Sequence, residues 1–307
     1  MKRAGDTSES IDAQRARAIV VRAFAFDFPD DLSPRWHPTR LIRSHLFNAF
    51  SLQMPFLEPF MIKAMQDALA LVESPALAAD IRAFNAQEAR HAECHRRFNE
   101  LVKKNGYAEL AGVEARLAAS YARLAQRSLR RRLAFTLGFE TATNGFTAWL
   151  VNERRQLFGK ACPYVASFWL MHMVEESEHR NVAFDAYMEC FGCYLPRALG
   201  LIESAGHLLG FAVLAMLTAI KKDEGRITAG RMMELAVELA AFVRFVVPPM
   251  LRALHPRYNP RHEPEPVWVR EWAAGHAQFP AGMALPLIDT ESADLPVPFE
   301  AEPAAAL

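Results

Sequence analysis

From about Thr39 to Leu254, apolar residues recur at intervals of three and four positions and glycine is scarce through the middle of the chain. That is the period of helices buried along one face. Proline and glycine divide the run into predicted helices over Pro38 to Val72, Pro75 to Lys104, Pro163 to Phe191, Pro196 to Lys222 and Thr228 to Leu254. The stretch from Tyr107 to Phe158 is too long for one ordinary helix and changes character partway. Glu109 to Arg132, rich in Ala, Leu and Arg, reads as a connector, while Leu133 to Val151, nearly uncharged apart from Glu140, reads as a core helix. Before this run, Arg17 to Phe28 is apolar and tolerant of extended structure, so an arm packed on the helices is expected. After Leu254 come Pro256, Pro260, Pro264 and Pro266, then Trp268 and Trp272, the pattern of an extended docking arm; from Pro280 onward Pro, Ala and acids predict a disordered tail. The expected organisation is all-α: an arm over 1–37, a helical domain over 38–254 whose last two helices form an appended pair, and an arm and tail over 255–307.

The most apolar segment runs from Ser204 to Ile220, seventeen residues without Asp, Glu, Lys or Arg. It falls short of the usual spanning length and contains His207, so a buried or interfacial helix is preferred over membrane association through 198–220. Glu203 and His207 interrupt one helix of the pair and Glu234, Glu238 and Arg244 the other. Neither suits a lipid-facing span, and the pair is expected to cover the bundle or a partner subunit. With 51% hydrophobic residues in 307, the chain has material for a packed core. Thirty-five Lys plus Arg balance thirty-five Asp plus Glu, so no global field draws it to nucleic acid.

Four cysteines are too few for a disulfide scaffold, and Met1 to Ser10 is polar and charged, which together predict a cytoplasmic protein. Cys190-Phe-Gly-Cys193 has redox spacing without a βαβ context, so structural cysteines at a helix end are expected. Arg123, Arg127, Arg130, Arg131 and Arg132 read as a solvated face of the connector. The sequence contains no phosphate-binding glycine loop and no G-x-S-x-G nucleophile elbow.

Chemistry enters with two Glu-x-x-His pairs, Glu88 with His91 and Glu176 with His179. One such spacing is expected by chance, so the order matters more than either pair. Glu58 stands thirty residues before Glu88 and Glu140 thirty-six before Glu176, giving Glu, Glu-x-x-His, Glu, Glu-x-x-His on successive apolar helices. This is the donor set of di-iron and di-manganese carboxylate proteins built on a ferritin-like four-helix bundle. The fifty-two residues between Glu88 and Glu140 leave chain for the long crossover, and the arginine-rich connector fills that gap. Two divalent cations would cancel four crowded carboxylates that are otherwise costly to bury. Unrelated surface glutamates and satisfied core histidines are the bland alternative. At about 100° per residue, His172, Glu176 and His179 share one helix face, with Glu175 near its edge. His172 is therefore a candidate ligand, its alternative being a core histidine bonded to a carbonyl or to Glu176. His95, one turn past His91, is either a ligand or, by preference, a hydrogen-bond partner behind one.

The segments PFLEPF, AFNAQEARHAECHRRFN, EESEHRNVAFDAY and LHPRYNPRHEP followed by Trp resemble the bacterial family of predicted metal-dependent hydrolases, over about Phe26 to Trp272. The ligand order, with an extra His one turn before the last Glu, is also similar to the di-iron p-aminobenzoate N-oxygenases. That second resemblance implies ligand roles for Glu58, Glu88, His91, Glu140, His172, Glu176 and His179, and His95 departs from it. The leading expectation is a dinuclear centre of two divalent metals, iron first and manganese second, that uses O2 and an electron donor to oxidise a small organic substrate in an apolar site. Metal-activated water in a hydrolase is the alternative, and metal storage a third; a homo-oligomer is compatible with each.

Overall fold

A computed structural model of the chain describes residues 19–224, 228–280 and 283–299. The parts of the N-terminal arm and C-terminal tail expected at 1–18 and 300–307 lie outside the described residues. The fold is all-α, and among the described residues no strand occurs. The helices in order are α1 (Leu41–Ser51), α2 (Met54–Ala68), α3 (Pro75–Lys104), α4 (Ala111–Ala125), α5 (Leu129–Asn152), α6 (Arg154–Phe158), α7 (Pro163–His179), α8 (Val182–Cys190), α9 (Tyr194–Glu224), α10 (Ala229–Phe245), α11 (Val247–Ala253) and α12 (Val267–Gln278).

Four helices form a closed ring: α2 packs on α3 and α5, α7 packs on α5 and α3, and the chain therefore encloses a common interior. Their starts are chemically defined. Pro75 occupies the first turn of α3, where Ser74 accepts a hydrogen bond from Leu77 N, and Pro163 occupies the first turn of α7. Lys103 and Lys104 close α3, a favourable placement of positive charge at a helix C-terminus. Pro59 lies inside α2, directly after Glu58, and without an N–H it cannot donate the usual helical hydrogen bond to the carbonyl of Pro55.

The structure corrects several boundaries. The expected helix over Pro38 to Val72 is two, α1 and α2, broken at Leu52 and Gln53; Pro163 to Phe191 is likewise α7 and α8, broken after His179. The connector is itself helical, for α4 buries Val113, Leu117, Tyr121 and Leu124 against the body. Among the described residues after Leu254, the chain is not an extended arm with a disordered tail. It contains α12, whose Trp268 and Trp272 are buried, and the chain beyond is packed: Ile288 N donates to Ser167 Oγ at 2.8 Å, Thr290 Oγ1 donates to the Ala161 carbonyl at 2.8 Å, and Leu295 is buried. Prolines and small residues in a polar tail do not exclude order when isolated apolar anchors find sockets.

Helix α9 lies along α5 and α1. It is long and apolar enough to cross a membrane by length and composition, with 33% of its most apolar window buried. The acids that interrupt α10 turn inward: Glu234 Oε1 accepts from Ile42 N at 2.9 Å, at the start of α1, and Glu238 Oε1 accepts from buried Arg43 at 2.7 Å. At the N-terminus, Arg22, Phe24 and Phe26 are buried while Val21, Ala23 and Ala25 are exposed, so the strap lies extended with alternate side chains directed into the ring. The cysteines are free thiols; Cys190 and Cys193 stand at the end of α8 and before α9.

Candidate metal centre

Glu58 projects from α2, Glu88 and His91 from α3, Glu140 from α5, and His172, Glu176 and His179 from α7, and all seven are buried. Their donor atoms converge. Within overlapping groups, one atom of each residue lies within 4.8 Å of the others: Glu88, Glu140, Glu176 and His179; Glu58, Glu88 and His91; His91, His172 and Glu176; and Glu58, His95 and His172. The helical face arithmetic thus brings His172 to the same place as the two Glu-x-x-His pairs.

Most of these donors have no hydrogen-bond partner. Both carboxylate oxygens of Glu58, Glu88 and Glu140, Glu176 Oε2, and the Nδ1 atoms of His91 and His179 are buried without one. Buried polar atoms are rarely left so, and here they all face one interior point. His179 Nδ1 lies 2.8 Å from Glu88 Oε1, yet the pair lacks hydrogen-bond alignment. Two donors placed edge to edge, about 3 Å apart and aimed past each other, is the spacing of ligands around a cation with bonds of about 2.1 Å. A donor set of carboxylates with imidazole, without thiolate, suits a divalent cation that takes oxygen and nitrogen ligands. The residues therefore fit a metal centre.

The other nitrogens of the two paired histidines are held from behind. His91 Nε2 lies 2.7 Å from Glu175 Oε2, and His179 Nε2 lies 2.6 Å from Gln87 Oε1. The two supports are related: the residue before Glu176 holds the histidine of α3, and the residue before Glu88 holds the histidine of α7. With Nε2–H donated outward, Nδ1 of each ring is the lone-pair atom that faces the interior. Glu175 is in turn bound by Arg22 Nη1 at 3.4 Å, and the same guanidinium binds Glu178 at 2.6 Å. Gln87 Nε2 donates to the Val20 carbonyl at 2.8 Å and to Glu178 Oε2 at 3.1 Å, so the N-terminal strap locks both supports.

His172 is held differently. Its Nδ1 lies 2.9 Å from His95 Nε2, and its Nε2 lies 2.9 Å from Glu176 Oε1 and 3.9 Å from Glu58 Oε1. His95 Nδ1 continues to Ser51 Oγ at 2.7 Å, which donates to Asn99 Oδ1 at 2.8 Å. His95 therefore has both ring nitrogens engaged, while Nε2 of His172 faces the carboxylates. The indole of Trp169 stacks on the His172 ring, and Phe24 meets His91 edge-on at 4.5 Å.

Burial, and after it the charge of neighbouring carboxylates, holds Glu58, Glu88 and Glu140 well above the usual carboxylate range. Burial opposes ionisation of Glu176 as well, but the hydrogen bond from His172 and the adjoining imidazoles of His179 and His91 prevail and bring it down to about 2. Burial pushes Glu175 up to about 7 against the pull of Arg22. His91 and His95 are held well below the usual imidazole value by burial and by His172.

Gln87, Ser51, Asn99, Arg22 and Glu178 were not among the sequence candidates. For Gln87 the one signal is its place immediately before Glu88, matching that of Glu175 before Glu176; Ser51, Asn99, Arg22 and Glu178 carry no such signal. The arginine cluster makes no common site: Arg127 pairs with Glu203, Arg132 with Asp67, and Arg123, Arg130 and Arg131 are exposed. A family model described as predicted metal-dependent hydrolase matches residues 20–264. No curated protein and no solved structure matches the chain.

Proposed function

The chain belongs to the predicted metal-dependent hydrolase family, and from that membership we propose that its buried glutamate and histidine cluster is a dinuclear metal centre that hydrolyses an acyl ester or amide. The observation that carries this is the convergence of unpartnered carboxylate oxygens with two outward-anchored imidazoles. Glu58, Glu88, His91, Glu140, Glu176 and His179 would hold two divalent ions, iron or manganese, and His172 Nε2 would complete the set, a donor set like that of ferritin-like carboxylate proteins. Such metals, when bound, acidify water and polarise a scissile carbonyl.

The remaining work belongs to the chain. Glu175 and Gln87 fix the tautomers of His91 and His179, so both rings present a lone pair inward without a proton having to move. The Ser51, His95 and His172 hydrogen bonds set the His172 ring, so that Nε2 rather than Nδ1 reaches the carboxylates. Phe24, Phe168 and Trp169 close the interior to bulk water. In hydrolysis, water oxygen bonds to the carbonyl carbon, the bond to the leaving alcohol or amine breaks, and a water proton goes to that leaving group.

Oxidation by O2, the first expectation from the sequence, finds no support in the family match, which favours the hydrolase alternative. One observation keeps it as a second reading: the walls beyond His172 and Glu176 are almost wholly apolar, the surroundings that protect a reactive oxidant. Purified protein loaded anaerobically with iron or with manganese decides between them. The proposal expects about two ions per chain by elemental analysis and cleavage of p-nitrophenyl acyl esters that chelation abolishes. A metal content near zero overturns it; oxygen uptake by the ferrous protein with no ester cleavage transfers the assignment to the second reading.

A further inference from the structure

A narrow cavity of about 50 Å3 starts at His172 and Glu176 and leaves the ring between α9 and α10. Both helices lie on α1 and α5, and the cleft between them has its floor on those helices. Phe50, Phe139, Phe146 and Trp169 form the inner wall; Leu208 and Leu209 on one side and Phe242 and Met250 on the other form the half-buried outer wall. Of the other polar groups in the lining, Thr143 is already bonded to the Glu140 carbonyl at 2.8 Å, and the buried, unpartnered indole N–H of Trp169 belongs to the ring that stacks on His172. Polarity is thus confined to one end, where the metal donors stand.

We propose that this cleft receives the hydrocarbon chain of an acyl substrate, with the carbonyl group at the Glu176 and His172 end. The assignment rests on the hydrolytic reading of the same centre and adds the substrate class. Beyond the His172 and Trp169 end, a polar occupant would lose its water bonds to walls that offer none in return, whereas a hydrocarbon chain gives up nothing. The volume is small, well below the ~150 Å3 of an enclosed cavity that binds benzene, so as it stands the space takes only the first methylenes of a chain. A longer chain has to widen the cleft toward its open end, and Met54, Met173 and Met250 along the lining are side chains that reshape readily around one. Where the cleft emerges the surface is apolar too. Ile202 and Val213 of α9 and Leu239 and Val243 of α10 are exposed, while the α10 acids Glu234 and Glu238 are turned inward to Ile42 and Arg43.

The test is binding, read without catalysis. Saturated fatty acids of eight to twelve carbons are titrated into the full chain, once metal-loaded and once after chelation, and a fatty acid brominated on a carbon near its carboxyl end is used to quench Trp169, whose ring stacks on His172. Affinity is expected to tighten about fourfold per added methylene, the ratio equivalent to about 0.8 kcal/mol. Quenching is expected in both metal states and should be lost in Trp169→Phe. Ala205→Phe, which fills the cleft from α9, should weaken binding at least tenfold with unchanged metal content and circular dichroism, and Met250→Trp should do the same from the opposite wall; Ala240→Phe, on the exposed side of α10, should bind as the parent does. Presenting the brominated chain free or within phosphatidylcholine vesicles distinguishes aqueous from bilayer supply, and capture from either supports the assignment. Absence of quenching in both metal states, or parental affinity in both cleft-filling variants, overturns it. Should the metal content prove to be zero while chain binding persists, the hydrolytic reading falls and the binding cleft stands; metal and ester cleavage without chain binding give the reverse.

Discussion

At the scale of single residues, the centre depends on atoms that never touch a metal. Gln87 and Glu175 each accept the outward N–H of a histidine from the facing helix, and both are tied to the N-terminal strap through Arg22 and Glu178. Removing such a support frees the ring to rotate and to change tautomer, which typically lowers metal affinity 10–100-fold. Gln87→Leu and Glu175→Leu should therefore weaken metal binding by about that factor in competition with a chelator, while Glu175→Gln, which keeps an acceptor oxygen, should retain most of it. Equal affinity in Glu175→Leu and the parent would show the support to be dispensable. His172 is a different case, since its Nδ1 is held by His95 and its Nε2 already reaches Glu176 Oε1. His172→Ala should keep most of its metal, because six donors remain, but change turnover; identical turnover would leave His172 a packing residue. The glutamates and histidines were legible because Glu-x-x-His puts two donors on one helical face and few other reasons bury them. Gln87, Ser51 and Asn99 were not, because a polar residue behind a ligand is defined only by which helix faces it.

At the scale of elements, the backbones of α5 and α9 approach closely where the two helices cross. A Cβ added to Gly200 would stand 2.2 Å from the Ala134 carbonyl oxygen, and one added to Gly138 would stand 2.6 Å from the Gly200 backbone. Replacing a helical glycine with alanine gains about 1 kcal/mol of helix propensity. Forcing backbones apart costs typically 1–3 kcal/mol and more where no side chain can yield, so the clash wins at this crossing. Gly200→Ala should destabilise the protein in urea titration, whereas Gly210→Ala on the same helix, with nothing within 4 Å, should stabilise it by up to about 1 kcal/mol. Stabilisation by both would refute the tight crossing. The helices themselves were legible from their three- and four-residue period. Their breaks were less so: α1 and α2 join without a glycine, and α7 stops at His179 inside a sequence that continues in helical period through α8. The ordered C-terminal segment was hidden for a third reason, because Ile288 and Leu295 are single apolar anchors too sparse to form a periodic signal.

At the scale of the whole molecule, the centre governs how stability depends on pH. In the metal-free chain Glu58, Glu88 and Glu140 are held well above their usual range by burial. A carboxyl raised on folding contributes stability that is fully present below its unfolded value and is lost as pH climbs toward the folded one, at about 1.4 kcal/mol per pH unit for each group. Histidines lowered by burial act in the opposite sense: for His91, His95 and His37, the last at about 4, stability is present above the unfolded imidazole value and is lost as pH falls below it. Glu176, at about 2, stays ionised throughout this range and adds no slope. The carboxyl contribution falls as pH rises above about 4.5 and the histidine contribution falls as pH drops below about 6.5, so the two sets oppose each other between these values. The metal-free protein should therefore lose carboxyl-derived stability as pH rises above the usual carboxylate range, with no histidine gain to offset that loss above about 6.5. With cations bound, the carboxylates are ionised and the imidazoles neutral in the folded state, so that loss is removed and loading must release protons. The rise in Tm on adding metal should be larger at pH 8 than at pH 6, and calorimetry in two buffers of different ionisation enthalpy should record proton release on binding. An equal rise at both pH values, with no protons released, would mean that these carboxyls are already ionised in the metal-free chain and that something other than a cation balances their charge.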